Sequence, residues 1–215
     1  MPARKKAEPL FLNRELSLLQ FNERVLAMAE HPDTPLLERL RYVCIVSSNL
    51  DEFFEIRVSS LKEQLAQHPT LMGPDGMTTE QAYERVQLEV HRLVDRQYAL
   101  LNDDIYPRLR TEGVYLHHAI EWNEAQTAWA KEVFHRDVMP LLTPIGLDPA
   151  HPFPRVLNKS LNFAVELSGK DAFNRTSTVA IVQAPRALPR LIRMPSHISR
   201  YEHSYVMLTS IMQAF

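Results

Sequence analysis

PLLERLRYVCIVSSNLDEFFEIRVSSLKEQLAQ, residues 35–67, has no Pro after its first residue and no Gly, so it reads as one long helix entered at Pro35. At about 100° per residue, Leu36, Leu40, Val43, Ser47, Leu50, Phe54, Val58, Leu61 and Leu65 gather on one side, the stripe an amphipathic helix presses into its core. Tyr42, Ile45, Val46, Asn49, Phe53 and Ile56 gather on a second side, roughly 130° from the first. A helix apolar on two sides is normally covered on both, which predicts a partner beyond its own bundle. Asn49 falls within the second stripe, where a covered amide needs protein, water or ligand to satisfy it. A bond to a neighbouring helix and a contact with a ligand are both open to it.

Working outward, Ser17–Glu30 carries Leu18, Leu19, Phe21, Val25, Leu26 and Ala29 at helical spacing, with Ser17 or Asn13 as N-cap. After a Pro- and Gly-bearing loop over 68–77, Thr78 with Gln81 forms a capping box for a third helix. Its face is Ala82, Val86, Val90, Leu93, Val94, Gln97, Leu101 and Ile105, and Pro107 is expected to interrupt it. Gly113 marks the last point at which a continuing turn would stop. The sequence thus predicts a multi-domain chain: an all-α three-helix bundle over 1–110, then a truncated α+β domain over 111–215 with a small, mainly antiparallel sheet.

In that second part Val114-Tyr115-Leu116 reads as a strand, and Asn123 caps a short helix running to about Asp137. Leu161, Phe163, Val165 and Leu167 alternate, as do Val179 and Ile181 within 176–183, with 169–175 connecting them. Pro185 to Pro195 is an edge segment, because prolines cannot donate to a central ladder. Residues 204–215 read as an apolar helix without a cap, which predicts an amino-terminal piece of a longer protein.

A net charge of −2 lacks the basic footprint of a nucleic-acid binder. The single Cys44, taken as a buried thiol, fits a reducing compartment, and no signal peptide or membrane span is visible, so the expected location is the cytoplasm. No pair among the nine histidines has the spacing of a helical metal site, His117-His118 would point to opposite faces of a strand, and no phosphate-binding glycine loop occurs. No metal site is therefore expected. Arg186, Arg190, Arg193 and Arg200 form a run without an acid before Glu202, which suits either a solvated edge or a guide for a polyanion.

Three blocks, NRELSLLQFN (13–22), PLLERL (35–40) and SSNLDEFF (47–54), resemble the amino-terminal signature of the long-chain polyphosphate kinases. A fourth, DPAHPFP (148–154) followed by SLNFAV (160–165), resembles the start of that family's middle domain. Leu18 departs from the family, which usually carries Trp there. The resemblance implies the amino-terminal and partial middle domain of a transferase that reversibly moves the terminal phosphate of ATP to polyphosphate. It implies ATP and ADP as nucleotides, and further implies that Asn49 reaches the adenine end of ATP beside Phe53. The phosphorylated histidine and the Mg²⁺ ligands would lie in later domains, so no catalytic residue is expected here and His151 reads as a turn residue. Homo-oligomerisation and contacts with the carboxy-terminal domains are implied as well. A helical protein-interaction module and a polyanion-binding adaptor centred on Arg186 to Arg200 are the alternatives.

Overall fold

A computed structural model describes residues 11–147, 152–169 and 179–215. Contacts divide the chain into two compact units, through Leu109 and from Arg110. The Asp148 to His151 half of the fourth block and most of the 169–175 connection lie outside the described residues.

The first unit is helical. Helix α1 (Arg14–Glu30) is capped by Asn13, whose Oδ1 accepts the Leu16 N–H at 2.9 Å while its Nδ2 donates to Asp75 at 2.6 Å, tying the 68–78 loop to the helix start. Helix α2 (Leu36–Glu52) continues through a π-helical segment, Phe53–Val58, into α3 (Ser59–Gln67). Helix α4 (Thr79–Ala99) begins at the Thr78–Gln81 capping box and continues through a second π segment, Leu100–Ile105, into α5 (Tyr106–Thr111). Pro107 thus does not interrupt the third helix: the wider turns just before it accommodate a residue without an N–H, and the run ends before Gly113 at φ +77°. Helix α1 packs on α2 and α4, while α3 meets α4 and α2 meets the second π segment, so the second and third rods run antiparallel.

The buried side of the second rod differs from either predicted stripe. It is Arg39, Val43, Val46, Leu50 and Phe53, then Val58 and Leu61, while Ser47, Phe54, Ile45 and Ile56 are exposed. Up to Phe53 this face keeps a 100° step, but its apolar residues are divided between the two predicted stripes; beyond it the π segment inserts one residue, so the same step does not carry on to Val58 and Leu61. Cys44 is exposed rather than buried.

A buried polar joint ties these rods together. Arg39, 3% exposed, donates Nε to the Ala29 carbonyl at 2.6 Å and its terminal nitrogen to Asp104, which also pairs with Arg108. Gln97, also buried, donates to the Val43 carbonyl at 3.0 Å.

Among its described residues the second unit holds two three-stranded sheets, one of them mixed, where the sequence suggested a single, mainly antiparallel one. In the first, β6 (His203–Met207) lies between β1 (Val114–His117), with which it is parallel, and β5 (Leu191–Arg193), with which it is antiparallel. The second is antiparallel, β2 (Ile145–Gly146) and β3 (Asn162–Glu166) flanking β4 (Val179–Gln183). As expected, β5 is an edge and α6 (Glu124–Val133) is capped by Asn123; a π segment, Phe134–Val138, follows it.

Strand β4 falls within the predicted 176–183 stretch, while the reading of 204–215 fails. In β4 the buried residues are Ala180 and Val182, the opposite phase from Val179 and Ile181, because both faces of this central strand are apolar and alternation cannot choose between them. The 204–215 stretch is strand β6 followed by helix α7 (Leu208–Ala214), not one helix. An apolar run bearing β-branched and aromatic residues is ambiguous until its neighbours are known. Here β1 and β5 claim both edges of β6. Ala130, Val133, Phe134, Val138, Met194, Val206, Leu208 and Ile211 make the core, with Trp122 and Trp129 packed against it.

Candidate functional site

In the helical unit, α1 and the second rod enclose a cleft of about 260 Å³ lined by Leu18, Phe21, Asn22, Asn49, Glu52, Phe53, Ile56 and Arg57. The SSN block and the quoted α1 block thus meet at one place. Asn49 donates Nδ2 to Asn22 Oδ1 at 2.8 Å, and Asn22, 3% exposed, donates its own Nδ2 to the Leu18 carbonyl at 3.1 Å. This chain fixes the Asn49 amide while leaving its Oδ1 and second N–H without a partner among the described residues. Phe53 is buried and meets Phe54 edge to face at 6.2 Å, while Phe21 and Ile56 stay exposed at the rim. Of the two options open to Asn49, the structure shows the bond to a neighbouring helix: one amide hydrogen holds α1, and the rest of the amide lines the cleft. Leu18, the departure from the family signature, is one of the cleft's walls.

A second cleft, of about 350 Å³, belongs to the second unit and is lined by Arg110, Tyr115, His117, Glu121, Asn123, Gln126, Ile198, Arg200 and Tyr201. The rings of Tyr115 and Tyr201 stack at 4.6 Å. Arg110 Nε donates to the Tyr201 hydroxyl at 2.8 Å, and Arg200 donates to the same oxygen at 2.7 Å. Each guanidinium also lies over a ring, Arg110 at 4.7 Å from Tyr115 and Arg200 at 4.8 Å from Tyr201. Burial pushes the Tyr201 phenol up, but the hydrogen bonds from Arg110 and Arg200 outweigh it and leave it below its ordinary value. The Tyr115 hydroxyl donates to Glu121 at 2.7 Å, which holds that carboxyl below its usual range.

The sequence brought only Arg200 to notice here. Arg186, Arg190 and Arg193 are exposed and do not line this cleft. Nothing in the sequence signalled Arg110, Tyr115 or Tyr201, because the parallel pairing of Val114 with His203 is what joins segments so far apart in the chain. Among the described residues no group of three or more His, Cys, Asp or Glu side chains is arranged to hold a metal ion. No helix of the described residues is long and apolar enough to cross a membrane.

His117 is buried, its Nε2 3.2 Å from Ser204 Oγ and 3.4 Å from Ser199 Oγ. Burial lowers its pKa; Glu121 pulls the other way, and Arg200, Arg110 and His118 add to the lowering. The folded state thus binds this proton less readily than the unfolded chain, so stability falls as pH drops from about 6.5 through the lower folded value. His117→Gln should flatten that acid-side loss in unfolding titrations followed by tryptophan emission, since both tryptophans pack on this unit's core.

Residues 11–117 match the polyphosphate kinase N-terminal domain and residues 125–215 the polyphosphate kinase middle domain. The polyphosphate kinase of Paraburkholderia phytofirmans is 58% identical over 204 residues, covering 95% of this chain and 30% of the relative. That of Burkholderia vietnamiensis is likewise 58% identical over the same share. The crystal structure of polyphosphate kinase from Porphyromonas gingivalis aligns with a TM-score of 0.77 at 28% identity, covering 96% of this chain and 30% of that one. The chain therefore spans about a third of the length of these relatives. With both domain families matched in register and the fold shared along nearly all of its length, the chain belongs to the polyphosphate kinase family.

Proposed function

We propose that this chain supplies the adenine-facing wall of the nucleotide site in a polyphosphate kinase that reversibly moves the terminal phosphate of ATP to polyphosphate. The observation that carries the reading is the Asn49 amide, held by buried Asn22 with a donor and an acceptor left in an apolar-walled cleft. An adenine edge needs one of each, and Phe53 with Leu18 offers ring and aliphatic surface to its faces. The phosphorylated histidine and the Mg²⁺ ligands belong, on this reading, to the part of the relatives that this chain does not match. The chain alone then binds nucleotide weakly and turns nothing over. Assembly with those domains and with further copies of itself in the cytoplasm completes the site. Arg186, Arg190 and Arg193 form an exposed basic margin that suits a passing phosphate chain.

Asn49→Ala in a chain carrying the full length of the relatives should weaken ATP affinity by about tenfold, the worth of one or two polar contacts, and should lower stability by about 1–3 kcal/mol because it strips buried Asn22 of its donor. Equilibrium binding measures it. Unchanged affinity would favour the alternative, in which the helical unit is a protein-interaction module. Polyphosphate synthesis by the 215-residue chain itself would overturn the assignment of the catalytic histidine elsewhere.

A further inference from the structure

The second cleft has no part in the adenine reading, yet it is organised. Two guanidinium groups converge on one phenolic oxygen, each also seated on an aromatic ring. Among the described residues neither lies within ion-pairing distance of a carboxylate, although Glu121 lines the same cleft. Exposed arginines held in place by neutral partners keep most of their N–H groups for a ligand. Tyr201 sharpens the point. Its oxygen accepts from both arginines, so its own O–H is left to donate, and no acceptor among the described residues takes it. The start of α6 lies alongside, with Asn123 and Gln126 in the cleft wall, adding the positive end of a ten-residue helix. Donors outnumber acceptors, and the excess is cationic.

We propose that this cleft is a phosphoryl-oxyanion site that holds a short stretch of linear phosphate chain in forks from Arg110 and Arg200, with the Tyr201 hydroxyl donating a third bond. The oxyanion chemistry rests on the cleft itself; the choice of a phosphate chain rests on the family reading above. Planar guanidinium forks match the oxygens of a phosphoryl group. The cleft's volume is that of a small-molecule pocket, so it has room for more than one such group. Glu121 works against binding, and its bonds with the Tyr115 hydroxyl and the His118 N–H hold it in place. Binding here reads no base, and the cleft shares no lining residue with the Asn49 cleft.

The test is calorimetric titration of the 215-residue chain with tripolyphosphate, and separately with orthophosphate. Tripolyphosphate should bind with an affinity that falls steeply with salt, and orthophosphate more weakly. Arg110→Gln and Arg200→Gln should each cost about tenfold or more in affinity. Tyr201→Phe, which changes no charge, should also weaken binding because the arginines lose their common anchor. Glu121→Gln should tighten it. Arg136→Gln removes an equal charge from an arginine already paired with Glu132 and Asp137, and should leave affinity unchanged. An equal loss in Arg136→Gln and Arg110→Gln, or a neutral Tyr201→Phe, would reduce the effect to diffuse charge and overturn the proposal. So would the lack of any tripolyphosphate binding. Orthophosphate binding as tightly as tripolyphosphate would overturn the chain as ligand. Asn49→Ala should not alter any of these titrations, so a failure here leaves the adenine wall standing, and the reverse.

Discussion

Asp104→Ala should cost the helical unit about 3–5 kcal/mol, the range for stripping a buried charge of its partner. Arg39 is 3% exposed, and its guanidinium has two acceptors, the Ala29 carbonyl and the Asp104 carboxylate. Removing the carboxylate leaves a cation among apolar residues, and Ala29 alone cannot satisfy it. Asp104 itself is about one-third exposed and keeps Arg108 as a second partner, so the reverse deletion is milder. Arg39→Met, which removes the charge and keeps the bulk, should cost far less than Asp104→Ala. The hydrogen bond from Arg39 is the main reason the Asp104 carboxyl titrates low; burial opposes it, and Arg108 helps. A depressed folded pKa means that this stabilisation is present above the ordinary carboxylate value of about 3.9 and is lost as pH falls through the folded one. Denaturant unfolding followed by far-UV circular dichroism measures both variants. Equal costs for the two would show that the charge itself is not what matters.

Val206→Asp should abolish the native second unit. Val206 is fully buried on β6, paired with His117 on one side and Ile192 on the other, and packed in the core with Leu208 and Ile211. An ionised carboxylate there has only His117 beside it, which burial holds toward its neutral form, and even protonation to escape the charge leaves a polar group in an apolar core at a cost of several kcal/mol. Since a whole domain has only about 5–15 kcal/mol to lose, this one change is enough to open it. Trp122 and Trp129 are the chain's two tryptophans and both pack against this core, so their emission should shift to the red. Val206→Thr, nearly isosteric, should shift it far less.

Much of the helical unit, and the start of α6 in the second, was legible. The Thr78–Gln81 box, the Asn123 cap, and the α4 face of Ala82, Val86, Val90, Leu93 and Gln97 are local signals, set by neighbours three or four residues away. What escaped is non-local. How the second rod's buried side continues from Phe53 to Val58 depends on wide turns that no fixed period reveals, and β6 depends on two distant strands that accept it as a neighbour. The same divide runs through the sites. Asn49 could be singled out because an amide in an apolar stripe is conspicuous, but its buried partner Asn22 needed α1 to be placed. Arg110, Tyr115 and Tyr201 carry no local pattern, since each is an ordinary surface residue until β1 and β6 lie side by side.

The π segment at Phe53–Val58 has a consequence for how this rod can change length. In a uniform α-helix one added residue swings everything beyond it by about 100°, turning a seated face into an unseated one. The wide turns already hold such a residue, and Val58 and Leu61 stay buried after it. Loss of that residue would return the joint to ordinary α-helix with α2 and α3 left in their seats. Phe53, Ile56 and Arg57 of the cleft wall all ride on it. Loss of one residue at this joint would therefore alter the cleft wall before the packing that supports it.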